Sequence, residues 1–296
     1  MAVDFTNPYP HVWVRSRYNR IPPSWCTYEG NMNFIPVQTE IHKNSRWKRP
    51  TNFDFAARDL TCLTTVSEAR AVLRYYPLAF TQMGGSYRLI IVLGLEGKQR
   101  NLFVSADGRW VGEAIPVIYR CHPFQLLSPS DDEGSEDKKM LCIEEGSQTK
   151  CCDSDQPFFE ADGELADLVR SISTELTEYN RNLIRTDNAC EALVQLDLIK
   201  PWKPSLVAAD KKYVVEGLYG IDEQRLKEIS AEELKNLSQS EALSLAYMQL
   251  FSIINFRRFP SILAAHEKVA AIAKKDLIDI TLNTETDGGT LNLDNI

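Results

Sequence analysis

The sequence predicts an α+β fold, with a mixed or antiparallel sheet in the N-terminal half and a mainly helical C-terminal half carrying an extra hairpin. Three observations lead there. A phrase made of an arginine, two residues, a proline and then apolar residues occurs twice, in RYYPLAF (Arg74 to Phe80) and YRCHPFQLL (Tyr119 to Leu127), each time between a helical pattern and a strand-like run. β-Branched apolar runs such as YRLIIVLGL (Tyr87 to Leu95) mark strands in the first half. From Asp162 onward apolar residues recur at helical spacing, broken by the hairpin-like SLVAADKKYVVEGLYGI.

Residues 1–33 read as an irregular arm, 34–275 as an α+β domain with a candidate internal boundary near 128–160, and 276–296 as a flexible tail without a helical face. Near the N-terminus Trp13, Tyr18 and Trp25 alternate with Arg15, Arg17 and Arg20, the raw material of a single-strand nucleic-acid groove. No signature of an RNA-binding sheet or barrel accompanies them, and packing of an extended arm is the simpler use. Thr65 and Glu68 have capping-box spacing, and Ala69, Val72, Leu73 and Tyr76 follow at i, i+3, i+4 and i+7, which predicts a helix from Thr65 or Val66 to Tyr76. Pro77 stops it, and the residue before a proline is pushed to extended geometry, so the chain leaves ready for a strand. Arg74 and Arg120 are placed to face the negative ends of their helices.

MGGSYR is a turn ahead of the strand Tyr87 to Leu95, and QRNLFVSADGRW supplies a hairpin partner after a turn at Glu96 to Lys98. ADGRW turns again, and Pro116 opens a short helix, PVIYR, that Pro123 ends. Ser128 to Lys139 is an acidic loop, MLCIEE a strand and GSQTKCCDSDQP a loop. In the second half one helix runs through Leu165, Leu168, Val169, Ile172 and Leu176, and another covers Ala189 to Leu198, ending before KPWKP. A hairpin turns at Asp210 to Lys212, Asp222 and Ser230 cap two short acidic helices, and Ser240 to about Lys275 is helical with an interruption at Pro260.

A chain of 296 residues, 44% hydrophobic and 25% charged, has the material for a sizeable core and is not a disordered one. Its net charge of −8 opposes attraction to phosphate backbones and anionic membranes, so nucleic acid is not an expected partner. No stretch approaches a membrane span, and the N-terminus lacks the basic-then-apolar order of a signal peptide, which predicts a cytoplasmic protein without a transmembrane segment. Seven scattered cysteines fit reduced thiols. Cys151 and Cys152, beside Asp153 and Asp155, lack the paired Cys-x-x-Cys spacing of structural zinc and read as loop.

No motif spells out a reaction or a cofactor. None of the four histidines (His11, His42, His122, His266) is followed two positions on by a carboxylate, so the facial pattern of non-haem iron is absent, and there is no His-Glu-x-x-His or Gly-x-Ser-x-Gly. Cys121 adjoins His122, and a cysteine activated by a histidine is a known nucleophile arrangement, but sequence neighbours point apart, which makes a poor dyad. His42, in IHKNSRW, is a ligand or base candidate whose ordinary use is a local hydrogen bond.

Taken in order, IHKNSRW…FDFAA, SEARAVLRYYPLAF, IVLGLEGKQRNLFVSADGRW…IPVIYRCHPFQLL, LCIEEGS, FFEADGE, VEGLYGIDEQRLKEISAEELKNL and EALSLAYMQLFSIINFRR resemble the SapC family of bacterial proteins, from about Phe34 to Arg258. Where that family typically has Arg-Arg-Tyr-Pro-Phe, this sequence has Arg120-Cys121-His122-Pro123-Phe124, which keeps the arginine, the helix stop and the aromatic. The resemblance implies an association with surface-layer or secretion systems and carries over no catalytic set.

Two functional classes follow. The first is an accessory or interaction protein in the assembly or export of surface-layer or outer-membrane proteins, taking a protein or peptide client along a sheet edge, with aromatics and Arg74 or Arg120 as side-chain pockets. The second is an enzyme of unassigned class acting on a protein or small molecule, its site assembled from His42, Arg74, Asp107, Arg109, Arg120 and His122. Convergence of those residues on one pocket separates the two.

Overall fold

The computed structural model describes residues 34–95, 100–128, 139–149, 155–208, 211–269 and 271–272. The arm 1–33, the acidic loop except for Ser128 and Lys139, the turn at Glu96 to Lys98, Cys151 and Cys152, and the tail 276–296 lie outside them. The first half contains β1 (Phe34–Pro36), α1 (Thr39–His42), β2 (Arg46–Trp47), a 3₁₀ turn (Asp54–Ala56), β3 (Thr61–Leu63), α2 (Val66–Val72), β4 (Leu78–Met83) and β5 (Ser86–Val92). There follow β6 (Gly94–Leu95), β7 (Arg100–Asn101), α3 (Val117–Arg120), β8 (Phe124–Leu127), β9 (Met140–Glu144), β10 (Gln148–Thr149) and β11 (Gln156–Pro157). The second half has α4 (Asp167–Gln195), β12 (Ile199–Trp202), β13 (Ser205–Ala208), β14 (Lys211–Val214), β15 (Leu218–Ile221), α5 (Glu223–Glu228), α6 (Ala231–Gln239), α7 (Ala242–Ser252), a 3₁₀ segment (Ile253–Arg258) and a helix at 259–269.

The fold is α+β, and the strand pairings are antiparallel. The largest sheet has the order β12-β15-β4-β5-β3. Its hairpin β4–β5 turns on Gly84 and Gly85, with φ of 60° and 86°, the left-handed geometry a two-residue turn requires and glycine adopts without strain. The sheet is not built from the first half alone, because β12 and β15 come after α4 and β15 joins β4 through the pair Tyr219 and Phe80. KPWKP therefore does not simply end a helix: Pro201 lies in β12, at the sheet edge, where a residue without an N–H is tolerated. In the KKY segment, Lys211 and Lys212 belong to β14 and not to a turn, while Asp210 lies outside the described residues.

Helix α4 is one uninterrupted helix of 29 residues where the sequence pattern suggests two. Between Leu176 and Ala189 the inward positions pass to Tyr179, Leu183 and Thr186, which keep the 3.6-residue period with less apolar side chains. Thr186 accepts from the N–H of Val66 (2.9 Å), which ties α4 to the start of α2. The first half of α4 packs Val169, Ile172 and Leu176 into a small core with Trp47, Phe124, Ile143 and Phe158. Its second half packs Ala189, Cys190 and Leu193 into the main core under the large sheet, so both cores share one beam.

Both prolines stand where a helix passes into a strand: α2 unwinds before Pro77 and β4, α3 before Pro123 and β8. The two strands enter different sheets, β4 the large one and β8 the three-stranded sheet β1-β9-β8. Thr65 caps α2 by accepting from the N–H of Glu68 (3.2 Å), but the reciprocal half of a capping box is missing. The Glu68 carboxylate instead accepts from Thr64 Oγ1 (2.8 Å) and from the N–H of Val117 (2.7 Å), anchoring the start of α3.

Arg74 does not serve the end of α2 either. Asn255 Nδ2 reaches the carbonyls of Leu73 (2.6 Å) and Tyr76 (3.1 Å), while the Arg74 guanidinium stacks 4.6 Å from the Tyr75 ring. Asp222 caps α5, and Ser230 with Glu233 forms a complete capping box on α6. The helical interruption near the end is the 3₁₀ segment; Pro260 sits in the first turn of the helix after it, where its missing N–H costs nothing.

Candidate functional site

Helix α3 is a single turn, and its last residues with the two that follow send four side chains to three carboxylates. Tyr119 donates to Asp59 Oδ2 (2.8 Å), Arg120 pairs with Glu175 of α4, Cys121 Sγ lies 3.6 Å from the same carboxylate, and His122 Nε2 lies 3.4 Å from Glu144 at the end of β9. A helical turn rotates successive side chains by roughly 100°, which is why four neighbours can reach such different elements. Tyr119 belongs to the main core and Cys121 to the small one, so the segment crosses the seam between them.

Burial shifts the titration of this segment. It raises Asp59 to about 6, a rise that the Tyr119 hydrogen bond partly offsets, and it raises Glu144. Burial first, and the charge of Glu175 second, push the Cys121 thiol up to about 12, while burial lowers His122 to about 4. A thiol that keeps its proton beside an imidazole that cannot take one is the reverse of an activated cysteine. With His122 neutral, its 3.4 Å approach to Glu144 is a polar contact and not an ion pair, and the ring rests on Phe55, stacked at 3.7 Å.

Of the six residues named for that site, Arg120 and His122 share one neighbourhood and Asp107 and Arg109 another, while His42 and Arg74 stand apart. His42 is buried in the small core against Phe158 (4.7 Å), with Nδ1 3.1 Å from the N–H of Gln38 and Nε2 unpartnered among the described residues; burial lowers its pKa. Arg74 lies on the surface over Tyr75, and Arg109 pairs at 2.6 Å with Asp107 inside an exposed turn. An open cleft of about 730 Å³ lies along α1, walled by Val37, Ile41, Phe159 and Leu165 among others, and none of the six lines it.

A feature that sequence reasoning missed lies on α7 and its 3₁₀ continuation. The buried side carries Gln249, Ser252 and Asn255 beside Leu245, Ala246, Met248 and Phe256, which enter the main core. Gln249 accepts from the N–H of Ile221 (3.0 Å) and donates to the carbonyl of Leu78 (3.3 Å); Ser252 Oγ accepts from the N–H of Leu78 (2.8 Å). With Asn255, these side chains satisfy the backbone on either side of Pro77, where helix and ladder bonds are both interrupted. The outward side carries Tyr247, Phe251 and Ile254, 44%, 65% and 53% exposed, the two rings stacked at 5.9 Å. Spacing of i, i+4, i+7 reads in sequence as a buried stripe; the signal against that reading is the polar row at three-residue intervals inside the same apolar helix.

The family model for SapC matches residues 37–259, most of the chain. The chain belongs to the SapC family. No curated protein and no solved structure matched it. The SapC match takes in the α3 seam, the cleft residues, α7 and the 3₁₀ segment, while 1–33 and 276–296 fall outside it. Among the described residues of this SapC chain, no helix is long and apolar enough to cross a membrane.

Proposed function

We propose that this SapC-family chain is an accessory protein that binds a protein or peptide client during assembly or export of surface-layer or outer-membrane proteins, and that the outward face of α7 is its client contact. The observation that carries this reading is the outward face of α7 and its 3₁₀ continuation, where two aromatic rings and an isoleucine stay exposed while Leu245, Met248 and Phe256 of the same stretch are buried beside the polar row. Apolar surface held out by a helix whose opposite side is committed to the fold is the chemistry of a docking face. The titratable groups of the α3 seam support a binding role over catalysis, since each is engaged with an internal partner. In this reading the chain works from the cytoplasm, and the surface-layer setting is drawn from the family resemblance.

The test is a photoreactive phenylalanine analogue at position 251, introduced into the chain in a bacterium that makes surface proteins, with a control at Ile184, an exposed apolar residue of α4. Cross-linked surface-layer or outer-membrane polypeptides at 251 and not at 184 are the expected result. The same products at both positions, or chaperones alone, would overturn the reading.

A further inference from the structure

Resting on that reading of α7, we infer that the chain's own residues 276–296 occupy the α7 face in cis, as a stand-in for an acidic, apolar client segment. The face ends in a cation. Arg257 is exposed and has no ion pair among the described residues, whereas Arg258 is held by Glu113 and by the carbonyl of Tyr75. In a 3₁₀ segment residues three apart eclipse one another, so Arg257 continues the line through Ile254. The complement of such a surface is a segment with apolar side chains and carboxylates.

Two terminal segments lie outside the described residues, and their charges differ. Residues 1–33 hold Arg15, Arg17 and Arg20 against Asp4 and Glu29, a net positive arm that Arg257 repels. Residues 276–296 hold Asp276, Asp279, Glu285, Asp287 and Asp294 with no lysine or arginine, interleaved with apolar residues such as Leu277, Ile278, Ile280 and Leu282. Reach is sufficient: the helix at 259–269 is about 17 Å long at ~1.5 Å per residue, and 21 residues extend to about 70 Å at ~3.3 Å each. Three exposed side chains supply far less than the roughly 800 Å² per partner of a stable dimer. A tethered segment needs no such area, because its effective concentration is of order millimolar.

The experiment uses the purified full chain with the photoreactive analogue at 251. Cross-links to peptides from 276–296, with a yield independent of protein concentration, are expected, and Arg257→Glu should lower that yield at least about tenfold. Cross-links that avoid 276–296, that rise with concentration as a dimer would, or that survive Arg257→Glu unchanged would overturn the inference. If residue 251 captures surface proteins in cells while the purified chain shows no link to 276–296, the tail assignment falls and the docking face stands. If neither links, both fall.

Discussion

Replacing Gln249 with leucine tests whether α7 is held by its amides. Gln249 is fully buried, and the substitution leaves the N–H of Ile221 without an acceptor and takes one donor from the Leu78 carbonyl. A buried orphan of this kind costs about 1–3 kcal/mol, and losing the weaker second bond adds up to about 1, while the leucine returns part through burial. The net expectation is a loss of about 2–3 kcal/mol although the side chain becomes more apolar. Phe251→Ser supplies the contrast: with the ring 65% exposed, only a third of its burial is at stake, and the loss should stay below about 1 kcal/mol. Urea unfolding of both variants, read as midpoint and slope, measures this. A neutral Gln249→Leu beside a Phe251→Ser that costs more than about 2 kcal/mol would mean the helix faces the other way, and the reasoning fails.

Other outcomes follow from the seam. Asp59 titrates near 6 in the fold and near 4 when unfolded, so between those values the fold holds the extra proton; stability falls as pH rises through this window, by up to about 3 kcal/mol, and levels above it. Asp59→Asn should remove that part of the decline, which denaturation at pH 4.5 and 7.5 reads. Cys121, fully buried with its thiol pushed up to about 12, should resist iodoacetamide at pH 8 in the native chain and react on unfolding, as peptide mapping shows. Glu68→Ala should cost about 2–3 kcal/mol, beyond what an exposed first-turn glutamate is worth, because it orphans the N–H of Val117; a loss below about 0.5 kcal/mol would contradict that anchor.

What was legible in the sequence was local. Pro77 and Pro123, the Gly84-Gly85 turn, and the caps Thr65, Asp222 and Ser230 act within a few residues of themselves, and the structure has each in its expected place. What was not legible depends on partners far along the chain. Nothing near Tyr219 announces that it pairs with Phe80, and nothing near Arg74 announces that Asn255 takes the carbonyls it was expected to serve. Helix α4 looked like two because Tyr179 and Thr186 face inward with polar atoms whose partners lie far along the chain, at the carbonyl of Leu63 and the N–H of Val66. The candidate site suffered the same limit: six polar residues in or beside family-like phrases were selectable, but which share a neighbourhood depends on packing, and the apolar stretch from α7 through the 3₁₀ segment does not announce that Leu245, Met248 and Phe256 go inside while Tyr247, Phe251 and Ile254 stay out.

The exposure of that apolar face is the central claim, and the accessibility of position 251 measures it directly. Every described element ends by residue 272, so a chain ending at 275 keeps the fold. In that chain with Phe251→Trp, the added fluorescence, taken as the difference from the unsubstituted chain, should be solvent-like and freely quenched by acrylamide, and shielding should return when residues 276–296 are restored. An indole that is shielded in the shortened chain would contradict the account, because the ring would then be part of the core.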